Sequence, residues 1–161
     1  MTTAALQDLF LADNRCFGCG PANPDGLHLK TYEDADGYLA EWTPEERFQG
    51  PPGVVNGGLM AVPMDCHATW AAMHVFSADR GGEPVGAVTA GYTVTLHAPT
   101  PIGNRVALRA HVREHTDRHA KVTVTASVAG DVTATFEGTF VVVGLDEDAP
   151  VARPRRDDRP A

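Results

Sequence analysis

The sequence predicts an α+β fold, in which one antiparallel sheet wraps around a single long central helix. The helix is indicated by a stretch from Gly57 to about Ser77 that is rich in Ala, Met and Leu. The sheet is indicated by the last third of the chain, where apolar and polar residues alternate in four separate runs. Because each run has only one apolar face, the strands bury that face best against the long helix.

The length and composition fit one folded domain. The chain has 161 residues, of which 43% are hydrophobic and 21% charged, close to the globular average. A chain of this size buries a substantial core, so neither several domains nor a disulfide-dependent miniprotein is expected. We expect a single domain over residues 1–144 and a disordered tail over residues 145–161, which show no periodicity.

The first third of the chain alternates short elements with loops. Apolar residues at helical spacing predict a short amphipathic helix over residues 4–13. A loop rich in Cys, Gly and Pro follows at residues 16–26, and two short runs at residues 27–33 and 37–43 predict a hairpin. Three prolines and four glycines then predict a loop over residues 43–58.

Pro63 lies inside the predicted long helix. A proline in a helix interior removes a backbone hydrogen bond and clashes with the preceding turn, at a cost of about 3 kcal/mol. We therefore expect a kink at this position. Such a local irregularity often marks a functional site.

The four predicted strands share a simple pattern. Short connections at residues 99–104, 114–119 and 129–131 predict that the strands follow one another as an antiparallel meander. Such a sheet has two open edges, and pairing with a second copy of the chain buries one of them. The residues assigned to the buried face, strand by strand, are Val88, Ala90, Tyr92, Val94 and Leu96; Val106, Leu108, Ala110 and Val112; Val122, Val124, Ala126 and Val128; and Val132, Ala134, Phe136, Phe140 and Val142.

The charge and the residue usage exclude several classes of function. A net charge of −8 disfavours binding to nucleic acid or to an anionic membrane. Three cysteines, an odd number, and the lack of a positively charged start before the first apolar residues predict a cytoplasmic protein without disulfides. No apolar run is long enough to span a bilayer, and neither serine lies in the elbow motif of serine hydrolases.

Cys16 and Cys19 form a C-x-x-C pair, a spacing that occurs in zinc sites and in redox pairs. The second half of such a zinc site is not evident, because Cys66, His28 and His67 do not repeat its usual spacing. We therefore expect no bound metal, and we interpret the cysteines as small residues buried in a tight loop.

The main candidate site surrounds the start of the long helix. Gly57 and Gly58 open the predicted helix, where the first backbone N–H groups lack intrahelical partners and stabilise a developing negative charge. Asn56 is equally a good helix cap followed by flexible glycines, so both interpretations stay open. Asp65 lies among apolar residues, and burying a carboxylate is costly unless it is bonded or used.

Helix geometry separates Gly57 from Asp65. Eight residues correspond to about 12 Å of rise and about 800° of rotation, so one chain does not bring both groups to the same atom. Two antiparallel helices across a two-fold axis place the glycines of one chain beside the aspartate of the other. The spacing therefore predicts a homodimer with two shared sites.

Several motifs occur in an order that resembles one family. The segments CFGCGPANPDGLHL, FQGPPGVVNGG and VTAGYTVTLHAPTPIG, together with the helix aspartate, resemble the hotdog-fold acyl-CoA thioesterases of the PaaI-like group over roughly residues 16–143. The resemblance implies the hotdog fold, a dimer or a dimer of dimers, and acyl-CoA or another acyl thioester as substrate. It also implies hydrolysis without a metal or a cofactor.

The resemblance further implies roles for individual residues. Gly57, assisted by Gly58, is expected to donate its backbone N–H to the thioester carbonyl, and Asp65 to attack that carbonyl or to activate the water that does. Thr69 and Thr89 fall where related enzymes carry a hydroxyl near the reacting centre. For both threonines a purely structural role, in a helix and in a strand, stays open.

Two departures separate the chain from the family pattern. Asn56 stands where the family usually has His, and an amide does not exchange a proton near neutral pH. Gly50 stands where some relatives have Asn or Gln, and Asn56 or the neighbouring Gln49 is a candidate replacement. A non-catalytic acyl-thioester binding protein is therefore the alternative function, and a hotdog hydratase ranks last.

Two further features have both a functional and a structural interpretation. Arg105, Arg109 and Arg113 share the polar face of a predicted strand, where they either bind the phosphates of coenzyme A or are simply solvated. His67 points to another side of the helix than Asp65, so we expect it to line the core.

Overall fold

The computed structural model describes residues 4–144, and the predicted disordered tail lies outside the described residues. The predicted architecture is confirmed, since one six-stranded antiparallel sheet surrounds one long helix. Within residues 4–144, no helix is both long enough and apolar enough to cross a membrane. In chain order the elements are α1 (Leu6–Phe10), β1 (Thr31–Asp34), β2 (Gly37–Trp42), a 3-10 turn (Glu46–Phe48), α2 (Ala61–Ala78), β3 (Gly86–Leu96), β4 (Val106–His115), β5 (His119–Val128) and β6 (Asp131–Val143).

The core lies between α2 and one face of the sheet. α2 packs against all six strands, and the predicted alternation in β4 and β5 buries one side of both strands against it. Burial of these apolar side chains is the dominant favourable contribution to folding. The largest fully buried side chains include Trp70, Phe76, Phe136, Phe140, Met60, Met64 and Leu108.

The two predicted elements of the first third both form, but they are shorter than expected. α1 contains five residues, and its Gln7 side chain accepts a hydrogen bond of 2.9 Å from the Thr31 backbone N–H at the start of β1. β1 and β2 form the predicted hairpin. β1 starts at Thr31 because the backbone N–H groups of Leu27 and Leu29 donate to the cysteine-containing loop, to the carbonyls of Phe17 and Gly18.

The strand order is β1-β2-β4-β5-β6-β3, so the predicted four-strand meander is correct only for β4 to β6. β3 pairs with β6 instead of β4, because the proline-rich connection at residues 97–105 forms no tight hairpin and carries the chain past β6 and β5 to the far side of β5. Its Thr100 carbonyl accepts from the Val55 N–H at 2.9 Å, and its Ile102 N–H donates to Gly53 at 2.9 Å. These bonds tie the connection to the loop that precedes α2.

The long helix begins at Ala61, four residues later than predicted. Residues 57–60 form a turn in which the Asn56 carbonyl accepts hydrogen bonds from the N–H groups of Leu59 and Met60. Pro63 is therefore the third residue of α2. In the first turn a missing N–H removes no helical hydrogen bond, so the expected cause of a kink is absent there.

Two β-bulges change which side chains face the helix. In β3, Thr89 lies opposite Phe140 and Gly91 opposite Thr139, so Ala90 is the extra residue. Thr89 therefore shares the buried face with Phe140, and the prediction that Val88 and Ala90 face the core is wrong. A second bulge lies where β6 pairs with β5; there Thr133 is buried, while Val132, which was also predicted to be buried, is 44% exposed.

Candidate functional site

Asp65 lies in the second turn of α2, on the wall of a cavity of about 290 Å³. Its carboxylate Oδ1 accepts a hydrogen bond of 2.8 Å from the Thr89 hydroxyl. Burial raises the pKa of the Asp65 carboxyl, while the Thr89 hydrogen bond acts in the opposite direction because it favours the ionised form. A half-buried acid that has one side-chain partner within residues 4–144 is suited to attack a carbonyl or to take a proton from water.

The Ala90 bulge is the reason that Thr89 reaches Asp65. Bulges occur next to active sites because one extra residue turns a neighbouring side chain to the other face of the strand. Here the bulge places the Thr89 hydroxyl on the helix side of β3, opposite Phe140. The structure thus brings together Asp65 and Thr89, two of the predicted site residues.

Thr69 lines the same cavity one helical turn after Asp65. Its hydroxyl donates a hydrogen bond of 2.9 Å to the backbone carbonyl of Asp65, not to the carboxylate. This is the backbone bond that helix threonines often form. The oxygen of Thr69 keeps its capacity to accept a hydrogen bond on the cavity side.

The cavity beside Asp65 is mostly apolar. Its floor comes from α2, and its rim comes from β3, from the end of β6 and from the cysteine-containing loop. An apolar wall with one carboxylate suits a ligand that has an apolar body and one reactive polar group. The other lining residues are Leu11, Asn14, Cys16, Cys19, Cys66, Thr69, Trp70, Met73, Gly86, Ala87 and Val143.

The glycine pair forms the turn before α2, and Asn56 caps that turn. The Asn56 Oδ1 accepts hydrogen bonds from the Gly58 N–H at 3.0 Å and from the Leu59 N–H at 3.3 Å. Asn56 therefore caps this turn and not α2 itself, whose N-cap is Met60, and the Gly58 N–H is already bonded. Within residues 4–144 the Gly57 N–H has no hydrogen-bond partner, so it remains free to donate.

Gly57 and Asp65 line two different cavities of the same chain. Gly57 lies with Leu96, His97 and Pro99 around a cavity of about 370 Å³, whereas Asp65 lines the cavity described above. One chain therefore does not assemble both groups around a common space, as the rise of the helix predicts.

Gln49 belongs to the loop that precedes the glycines. Its Oε1 accepts a hydrogen bond of 3.1 Å from the Gly53 N–H, and its backbone pairs with Val55. The side chain thus holds the loop in shape. Its predicted role, as a replacement for an Asn or Gln that holds the water, stays a prediction.

His67 is fully buried, as expected for a residue that lines the core. Its Nε2–H donates to the Tyr38 carbonyl at 3.3 Å, so its Nδ1 accepts from the Thr31 hydroxyl at 3.0 Å. Burial lowers the pKa of His67 to about 4. This histidine is therefore neutral near pH 7 and does not line the Asp65 cavity.

Arg105, just before β4, and Arg109 and Arg113, on β4, are exposed and have partners on other strands of the sheet. Arg105 pairs with Glu41 at 3.2 Å, and Arg109 pairs with Asp34 at 3.1 Å. Arg113 donates to the Thr123 hydroxyl. These contacts fit the structural interpretation of the arginine group, and a role in binding phosphates stays a prediction.

Sequence reasoning missed one cluster near the site. Cys66 follows Asp65 on α2, and its sulfur lies 3.7 Å from that of Cys16, although fifty positions separate the two residues in the chain. Hydrogen bonds from the Cys19 and Cys66 thiols lower the pKa of the Cys16 thiol. Only the tertiary fold brings Cys66 to the C-x-x-C pair, because its distance from that pair along the chain follows no usual metal motif.

Comparison with known proteins supports the fold. Neither a protein-family model nor a curated protein matches the chain, but solved structures do. A thioesterase superfamily protein from Shewanella loihica is 28% identical, with a TM-score of 0.60, over 75% of this chain and 96% of that one. A thioesterase from Haemophilus influenzae is 16% identical, with a TM-score of 0.71, over 92% and 97%.

A third solved structure is the PaaI protein from the phenylacetic acid degradation operon of Escherichia coli. It is 16% identical to this chain, with a TM-score of 0.62, and the match covers 73% of this chain and 81% of that one. The chain is therefore a hotdog-fold protein whose solved structural neighbours include thioesterase superfamily proteins, as the resemblance in its sequence predicted.

Proposed function

We propose that the protein hydrolyses an acyl thioester, such as an acyl-CoA, to a free acid and a thiol. The hydrogen bond between Thr89 and Asp65, on the wall of an apolar cavity, is the observation that carries this proposal. Asp65 either attacks the thioester carbonyl or activates a water molecule for that attack. The free N–H of Gly57 donates to the carbonyl oxygen as negative charge develops on it.

The active species is a homodimer in which each site combines two chains. β3 is an edge strand of eleven residues, so one side of its backbone has no strand partner within the described chain. Its inward-facing Tyr92 and Leu96 are 53% and 52% exposed. Long edge strands with apolar side chains are normally covered, and a second copy of the same strand covers both the backbone and these side chains.

Pairing two copies of β3 also completes the site. Thr89 lies near the start of β3, where it bonds to Asp65 of α2, whereas Gly57 lies beside Leu96 at the other end of β3. A two-fold axis near Tyr92 runs the two strands antiparallel, so the start of one β3 meets the end of the other. Gly57 of one chain then approaches Asp65 of its partner.

Reduced thiols are consistent with action in the cytoplasm. All three cysteines are free, although two of their sulfurs lie within 4 Å of each other. Reducing compartments keep such thiols unpaired.

A non-catalytic acyl-thioester binding protein is the alternative. Asn56 occupies the position where the resembling family has His, and its amide caps the turn through Gly58 and Leu59. An amide held in this way transfers no proton to a substrate.

The test is thiol release from a panel of short, long and aromatic acyl-CoAs, with wild type and Asp65→Asn compared. We expect turnover by the wild type and a loss of about 10²- to 10⁴-fold in Asp65→Asn. Asp79→Asn, an exposed carboxylate at the end of the same helix, is the matched control and should retain activity. Saturable acyl-CoA binding without thiol release would favour the alternative function.

A further inference from the structure

Three cysteines from two distant parts of the chain meet at the rim of the Asp65 cavity. Cys16 and Cys19 come from the loop after α1, and Cys66 comes from α2. Their three sulfur atoms all lie within 4.8 Å of one another. All three cysteines line the cavity, and none forms a disulfide.

We infer that these three thiols form a binding site for a thiophilic metal ion, Zn²⁺. A tetrahedral zinc site with Zn–S bonds of about 2.3 Å separates its sulfurs by about 3.8 Å. The Cys16 and Cys66 sulfurs, at 3.7 Å, already have this separation. The inference is independent of the proposed hydrolase activity.

The surroundings of the cluster support thiolate ligands. The Trp70 indole Nε1–H donates to the Cys19 sulfur at 3.2 Å, and outer donors of this kind orient metal ligands. Gly18 lies between the two loop cysteines, and a Cβ at this position would collide with the Cys66 sulfur. The absence of a side chain at Gly18 therefore allows the loop to close onto α2.

Two simpler explanations fit these contacts less well. Cysteines that act only as small apolar residues are buried, but Cys16 is exposed. A disulfide between Cys16 and Cys66 would use two sulfurs and would not require the third, Cys19, with its indole hydrogen bond. A three-thiolate site uses all three residues.

Three cysteine ligands leave one position of a tetrahedral ion open, and all three cysteines line the cavity. The Asp65 carboxylate lines the same cavity but does not belong to the group of mutually close ligand atoms. Water or a cavity ligand therefore completes the coordination. Zinc at this position links the loop of residues 16–19 to α2 and stabilises the folded state by mass action.

The test is a titration of the reduced, chelator-treated protein with Co²⁺ as a spectroscopic substitute for Zn²⁺. We expect one equivalent to bind, with the thiolate-to-cobalt charge-transfer band and the ligand-field bands of a tetrahedral site, and we expect Zn²⁺ to displace it. Zn²⁺ should also raise the thermal unfolding midpoint of the wild type.

Variants separate the cluster from adventitious binding. Cys16→Ser is the first choice, because Cys16 is exposed and its replacement disturbs the core least. It should weaken Co²⁺ binding by at least about tenfold, and Cys66→Ser should act in the same way. His28→Asn, at an exposed position of positive φ in the same loop region, should bind Co²⁺ like the wild type.

Three results would overturn the inference. The first is a reduced wild type that binds no Co²⁺. This holds even where Cys16 and Cys66 form a disulfide when the protein is exposed to air. The second is a one-to-one complex without thiolate bands, which would assign the ion to histidines. The third is thiolate-type binding that Cys16→Ser and Cys66→Ser both retain while circular dichroism shows that they are folded.

Discussion

Thr89 donates a hydrogen bond of 2.8 Å from its Oγ1 to Oδ1 of Asp65, and the β-bulge at Ala90 produces this alignment. If the side chains of β3 alternated strictly between the two faces from Tyr92 back to Val88, Val88 would point toward α2 and Thr89 away from it. The bulge thus supplies the Asp65 carboxylate with its hydrogen-bond partner from the Thr89 side chain. The orientation of the candidate catalytic acid depends on one extra residue in an edge strand.

Replacing Thr89 by Val removes this hydrogen bond and keeps the β-branched shape. A hydrogen bond to a charged group contributes about 1.5–3 kcal/mol, so we expect kcat to fall by about 10- to 100-fold. Acyl-CoA hydrolysis measured as thiol release checks this expectation. KM should change little, because Thr89 orients the acid and is not expected to hold the acyl chain.

Thr89→Ser is the control for that experiment. Serine keeps the hydroxyl and should restore most of the activity, whereas a purely structural role for Thr89 would leave the serine and valine variants equally affected. Full activity in Thr89→Val would show that the hydrogen bond to Asp65 is not needed in the reaction.

The main elements of the fold follow from periodicity. The long helix, the hairpin and the buried faces of β4 and β5 depend on local patterns, which the sequence displays directly. The bulge at Ala90 depends on a single residue and leaves no clear trace in an alternating pattern. The pairing of β3 with β6 depends on contacts between the 97–105 connection and a distant loop.

The candidate site could likewise be predicted only where a local feature of the sequence marks its residues. Asp65 stands out as a carboxylate among apolar helix residues, so its neighbours in the sequence are enough to identify it. The meeting of Cys66 with the Cys16–Cys19 pair depends on how the loop packs on α2, which no spacing rule contains. The hydrogen bonds of the Thr69 hydroxyl and the Asn56 side chain depend on the folded backbone, so the sequence could not show them.

A mixed dimer tests whether each site combines two chains. Asp65→Asn lacks the carboxylate, and Gly57→Pro lacks the backbone N–H, so each homodimer should be inactive. Equal amounts of the two chains, unfolded and refolded together, should recover about one quarter of the wild-type activity, because half of the dimers are mixed and each has one intact site of two. Thiol release measures the recovery.

The wild type carried through the same refolding gives the reference activity, and size-exclusion chromatography checks that both variants still dimerise. An active site within a single chain predicts no recovery, because no chain in the mixture carries both Asp65 and Gly57. That result would remove the two-chain site from the proposed function.

A charge at the centre of β3 tests the proposed dimer interface. Tyr92 is 53% exposed, and its ring is stacked on Phe136 at 5.2 Å. In Tyr92→Glu the two-fold axis would bring two like charges together, at a cost of several kcal/mol. We expect the dimer dissociation constant to rise by roughly 100-fold or more, as measured by sedimentation, with loss of activity in parallel.

Leu9→Glu is the matched control for the interface experiment. Leu9 is also 53% exposed, but it belongs to α1, which is far from β3 along the sequence. This variant should keep the wild-type oligomeric state. A Tyr92→Glu protein that remains dimeric would exclude the β3 edge as the interface.

Thr31 connects two buried polar side chains, and its replacement tests how much this connection stabilises the fold. Its hydroxyl accepts a hydrogen bond from the Gln7 amide at 3.2 Å and donates to the Nδ1 of His67 at 3.0 Å. Thr31→Val keeps the shape but leaves the Gln7 amide N–H and the His67 Nδ1 buried without the bonds that the hydroxyl gave them, so we expect the free energy of unfolding to fall by about 1–3 kcal/mol. Urea denaturation at pH 7 measures this change, and Thr31→Ser, which keeps the hydroxyl, should lose less. Equal stability of wild type and Thr31→Val would contradict a stabilising role for this buried network.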